Sequence, residues 1–96
     1  MAEENKERLH ALVEGMVQGV GFRYFVAMDA KQLQFTGWVR NLWDGRVEVM
    51  AEGSRETLIT LYNHLQEGPR SAQVSKVDVQ WLPATNEFKD FRVTLN

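Results

Sequence analysis

Hydrophobic and polar positions alternate from Leu9 to Glu14. Leu9, Ala11 and Val13 fall on one side, and His10, Leu12 and Glu14 on the other. A period of two predicts a half-buried strand. At Phe22 the period changes. Phe22, Phe25, Val26, Ala30 and Leu33 recur at spacings of three and four, the stripe of a helix packed on a sheet. Phe35 to Leu42 reads as a second strand, with Gly37, Val39 and Asn41 on one face and Trp38 and Arg40 on the other. Asp44-Gly45 is a turn pair. Arg46 to Glu52 then alternates, with Val47, Val49 and Ala51 inward. Arg46, Glu48, Met50 and Glu52 point outward, and the two glutamates are expected to form a solvated row. Gly53-Ser54 opens a second helix with Ser54 as N-cap. Its predicted buried stripe is Leu58, Leu61, Tyr62 and Leu65, and Gly68-Pro69 stops it. Val77, Val79 and Trp81 alternate in a fourth strand that Pro83 ends. Phe91, Val93 and Leu95 leave room for a short fifth strand on an edge. The order βαββαβ predicts an α+β, ferredoxin-like sandwich, an antiparallel sheet with two helices on one face.

Composition narrows this little but usefully. At 96 residues the expectation is a flexible lead-in over 1–7 and one domain over 8–96. The net charge of −2 is spread along the chain, against a basic nucleic-acid face. RNA-binding modules share this element order, but they place aromatics on the third strand to stack bases. Here those outward positions are Arg46, Glu48, Met50 and Glu52. There is no cysteine, hence no disulfide, thiolate nucleophile or Cys-based metal site. The polar start is no signal peptide, and no apolar run nears the ~20 residues that span a bilayer. The expectation is a cytoplasmic monomer that meets neither membrane nor nucleic acid.

The candidate chemistry lies in Glu14-Gly15-Met16-Val17-Gln18-Gly19-Val20-Gly21-Phe22-Arg23, between the first strand and the first helix. A tight loop feeding a helix leaves several N–H groups without partners, and the helix dipole adds positive charge there. That combination binds anions, usually phosphate. A glycine-rich turn alone is as often only a turn. Arg23 shifts the balance, because a cation in the first helical turn opposes the dipole unless an anion or a carboxylate compensates. The loop has neither a Walker ending nor dinucleotide-loop spacing, so no nucleotide is implied. Asn41 on local sequence alone is a turn residue at a strand end. His10 and His64 have no ligand spacing, Asp29 sits on the first helix and Asp44 in a turn. No pair of carboxylates is placed for acid–base work.

The run Gly15-x-Val17-Gln18-Gly19-Val20-Gly21-Phe22-Arg23, followed by Gly37-Trp38-Val39-Arg40-Asn41, resembles the two signatures of the acylphosphatases, and the likeness runs from about Arg8 to Asn96. It implies hydrolysis of acyl phosphates to carboxylate and phosphate, with no metal and no cofactor. It implies a phosphate held by Gln18, Gly19, Val20, Gly21, Phe22 and Arg23, and a water held by Asn41. The Gln18 side chain need not take part. Inorganic phosphate or sulfate would compete as anions. The chemistry agrees: a carboxylate leaves without a general acid, so a site with none suits acyl phosphates over phosphate monoesters. Gly21 stands where relatives often carry a bulkier residue such as phenylalanine, which bears on substrate preference. The alternative is a non-catalytic anion-binding module, since acylphosphatase-like domains also occur inside larger proteins of carbamoyl transfer.

Overall fold

A computed structural model of the chain describes residues 5–95, so Met1 to Glu4 of the expected lead-in lie outside the described residues. The first alternating run forms β1 (Lys6–Met16), longer at both ends than its hydrophobic pattern. The extra length follows from its place in the sheet. β1 is flanked on both sides, and Lys6 and Glu7 already pair with Ser54 and Gly53. Then come α1 (Phe22–Leu33), β2 (Thr36–Asn41), β3 (Val47–Ser54), α2 (Arg55–Glu67), β4 (Gln73–Pro83) and β5 (Phe91–Val93). The sheet order is β4-β1-β3-β2-β5. α1 packs on β2 and β5, and α2 on β1, β3 and β4. This is the ferredoxin-like sandwich that the element order predicts.

The inward residues of the central strands make the floor of the core. Leu9, Ala11, Val13, Val39, Val47, Val49 and Ala51 are fully buried. Phe22, Val26 and Ala30 of α1 and Leu58, Leu61 and Leu65 of α2 close it from above. Each such valine, leucine or phenylalanine side chain contributes about 1.5–3 kcal/mol through burial. Tyr62, expected in the buried stripe, is only half-buried. Ser54 caps α2 as predicted, its Oγ accepting from the Thr57 amide at 3.2 Å. Asp29 of α1 is buried and bonds His64 Nδ1 at 2.6 Å, tying the two helices together. No helix among the described residues is long and apolar enough to cross a membrane.

Two expectations are corrected. The sheet is not wholly antiparallel: β5 runs parallel to β2. The chain leaves β4 at one edge, crosses the ends of β1 and β3, and turns back along the opposite edge. That reversal sets β5 antiparallel to β4 and therefore parallel to β2. The second correction concerns the outward glutamates of β3, which are not a solvated row. Glu52 is only 2% exposed. Its carboxylate accepts from Arg8 Nε at 2.7 Å and from the amides of Thr85 and Asn86 at 2.8 and 2.9 Å. The crossing segment is thus fastened over Glu52, which covers it. Burial pushes the Glu52 carboxyl up, but these donors and the Arg8 charge outweigh it and hold it below the usual range. Glu48 is half-buried, held by His10 Nε2 at 2.7 Å and Arg40 Nε at 2.6 Å. Its carboxyl too is lowered, the hydrogen bonds from His10 and Arg40 exceeding the cost of burial.

Candidate active site

The loop from Val17 to Gly21 is anchored before it reaches α1. Val17 is buried in the core at its start. Gln18 Nε2 donates to the carbonyls of Leu42 and Arg46, at 2.7 and 2.9 Å, and so brackets the loop to the β2–β3 hairpin. The hairpin closes through Asp44-Gly45, with Leu42 N–H on Arg46 O at 2.8 Å. Gly15, the first glycine of the run, serves the sheet instead. At its φ of +128° a Cβ would lie 2.1 Å from the Gln73 carbonyl oxygen, where β1 bulges beside β4.

Gly19 and Gly21 serve the loop. Their φ angles are +75° and +81°, left-handed values that cost other residues roughly 1–2 kcal/mol. Gly21 is the N-cap of α1 and, having no side chain, makes no side-chain cap bond. No acidic residue stands in the first turn of α1. The first intrahelical bond runs from Phe25 N–H to Gly21 O at 3.0 Å. The N–H groups before it are the ones that a helix cannot satisfy internally.

A hollow of about 400 Å³ opens at this helix end. Gly19, Gly21, Phe22 and Arg23 line it from the loop and first turn, Asn41 from the end of β2, and Val93 and Leu95 from β5 and beyond. The Phe22 ring packs beside Phe25, 5.8 Å between centroids, and is buried, so its backbone is what it offers the hollow. Gln18 and Val20, both expected in the phosphate wall, are not among the lining residues. The Gln18 side chain is engaged with the hairpin, and Val20 packs against the core. Arg23 Nη1 donates to the Thr94 carbonyl at 3.4 Å. No ion pair joins Arg23 to a carboxylate among the described residues. Thr94 is itself placed by its N–H on Val39 O at 2.9 Å.

Sequence reasoning did not single out Tyr24, Val93, Thr94 or Leu95. Tyr24 carried one signal, an aromatic next to Arg23 and off the apolar stripe of α1. Val93 and Leu95 reach the hollow, and Thr94 reaches Arg23, through β5 and the residues after it. Among the described residues no group of three or more His, Asp or Glu side chains is placed to hold a metal ion.

The acylphosphatase family model matches residues 9–93. The chain belongs to the acylphosphatase family. An acylphosphatase of Marinobacter nauticus is 53% identical over 87 residues, covering 91% of this chain and 95% of that protein. The structure of an acylphosphatase from Coxiella burnetii aligns with a TM-score of 0.90 at 42% identity, over 98% of this chain and all of the other. The crystal structure of HypF from T. kodakarensis contains a similar region, with TM-score 0.80 and 28% identity, over 94% of this chain but 12% of that one. Membership supports an acylphosphatase-type hydrolytic function in general terms. Both acylphosphatase signatures meet in space: the glycine run supplies the helix end and Arg23, and the second run ends at Asn41 on the same hollow.

Proposed function

We propose that this acylphosphatase-family chain hydrolyses the carboxyl–phosphate bond of acyl phosphates, without a metal ion, by direct attack of water on phosphorus. The backbone N–H groups of the Gly19–Arg23 loop and the Arg23 guanidinium hold the phosphoryl oxygens. The Asn41 amide, which both donates and accepts, orients the water. The new bond joins the water oxygen to phosphorus. The bond from phosphorus to the acyl oxygen breaks, and the carboxylate leaves with the electron pair. The water proton passes to a phosphoryl oxygen. Charge spreads over the equatorial oxygens as this happens, where fixed donors and one cation lower the barrier. A carboxylate leaves without protonation, so no general acid is required. All these groups come from one chain, over residues 8–96, and the reading is of a monomer.

One observation carries the proposal: an uncapped helix end, an arginine with no carboxylate partner among the described residues and an asparagine amide border the same hollow. The competing reading, a non-catalytic anion-binding module, draws on the similar region inside the much longer HypF. An assay separates them. The purified chain should release phosphate from acetyl phosphate in the presence of a chelator, with inorganic phosphate or sulfate competing. Phosphate binding without any turnover would leave the module reading standing and remove the enzyme.

A further inference from the structure

The hollow beside Arg23 has an apolar side that phosphate binding does not use. Tyr24, Val93 and Leu95 line it, and they are 69%, 42% and 83% exposed. Exposed large side chains are ordinary when scattered; gathered around one concavity they mark a binding surface. These three come from the first turn of α1 and from the far end of the chain, and only the fold brings them together. Among the described residues Arg23 is the one charged residue lining the hollow. With a phosphoryl group on it, no other lining residue among those described remains to pair with a second negative charge. A second exposed aromatic, Trp43, is fully exposed at the β2–β3 turn. It borders a smaller hollow with Gln18, Asn41 and Leu42, which contains neither Arg23 nor a loop glycine. Tyr24 and Leu95 therefore share the Arg23 hollow, and Trp43 does not.

We propose that Tyr24, Val93 and Leu95 form the acyl subsite, and that it selects acyl phosphates with an uncharged apolar acyl group, aryl or branched alkyl, over small or acidic ones. The inference rests on the acyl-phosphate reading above. An apolar group withdrawn from water onto such a wall gains affinity, whereas a carboxylate there is desolvated without a partner.

The test compares kcat/KM for benzoyl, acetyl and succinyl phosphate. The wild-type chain should favour benzoyl over each of the others by about tenfold or more. In a Tyr24→Ala/Leu95→Ala double variant the benzoyl-to-acetyl ratio should fall towards one, with inorganic phosphate still competing. Tyr24→Phe should keep the ratio, since the ring and not the hydroxyl is invoked. Trp43→Ala should also keep it. A wild-type ratio near one, with acetyl phosphate hydrolysed, overturns the subsite and leaves the reaction intact. A ratio that collapses in Trp43→Ala but not in the double variant moves the acyl group to the other hollow and overturns it as well. Failure to hydrolyse any of the three removes the acyl-phosphate reading itself, and the subsite with it.

Discussion

α1 follows a glycine-bearing loop and α2 follows β3 directly, yet both carry an arginine in the first helical turn, Arg23 and Arg55. At α2 the chain answers its own charges. Ser54 Oγ caps the Thr57 amide, and Glu56 adds a negative charge to the first turn. Arg55 Nη1 meets Glu7 at 2.6 Å, with its guanidinium 4.0 Å over the Trp81 ring. At α1 the cap is Gly21, the first turn has no acid, and Arg23 reaches a backbone carbonyl at 3.4 Å. The dipole and an arginine add positive charge at both ends, but among the described residues only α2 has side chains that neutralise it. A helix start furnished like α2 is finished structure. One furnished like α1 is open to an anion from outside.

The widest separation between the two ends should come from removing each arginine. Arg23→Ala should lower acyl phosphate turnover at least about a hundredfold, the loss of about 3–4 kcal/mol of stabilisation of developing charge. It should also weaken phosphate binding; unchanged phosphate affinity, read by titration calorimetry, would break the contrast at its root. Asn41→Ala should lower turnover by about a hundredfold through a misplaced water, with phosphate affinity nearly unchanged. Wild-type turnover in that variant would mean another group holds the water.

The next effect is on the fold. Glu52→Gln should cost about 1–3 kcal/mol near neutral pH, the scale of hydrogen bonds to a charged group. The folded carboxyl is held below its ordinary pKa, so its contribution is complete above the unfolded value and is lost as pH falls through the folded one. Urea midpoints of wild type and variant should therefore converge in acid, and a constant gap would exclude the carboxylate as the cause. Ser54→Ala should cost about 1 kcal/mol, a melting-point fall of roughly 4–8 °C in a domain this size. Phosphate binding at α1 should not change. The smallest effect belongs to Arg55→Ala. Its exposed pair with Glu7 is worth about 0.2–1 kcal/mol, and turnover should stay at the wild-type level.

Much of this was legible beforehand for a local reason. α1 spans Phe22–Leu33 as its three-and-four spacing predicts, because helix periodicity is set by neighbours within one turn or two. The glycine run and Arg23 were legible likewise, lying within one short loop. Glu52 misled because alternation along β3 reports only which face a side chain takes. It says nothing about Thr85 and Asn86 arriving from 33 and 34 residues away to cover that face. His64 offered only the absence of ligand spacing, and its bond to Asp29 needed the packing of one helix beside the other. The Gln18 side chain had no visible purpose until the hairpin carbonyls of Leu42 and Arg46 were set beside it.

The amino-acid order alone settled the succession of strands and helices, the apolar stripes that face each other, and the glycines that allow the loop before α1. Those depend on interactions between near neighbours and on burial patterns that repeat every two or every three to four residues. Tertiary structure alone decided the parallel course of β5, the bracket from Gln18, the cover over Glu52 and the meeting of Arg23 and Tyr24 with Asn41 and Leu95. Each joins residues far apart in the chain, and their contact depends on strand register and on a segment that crosses the sheet ends.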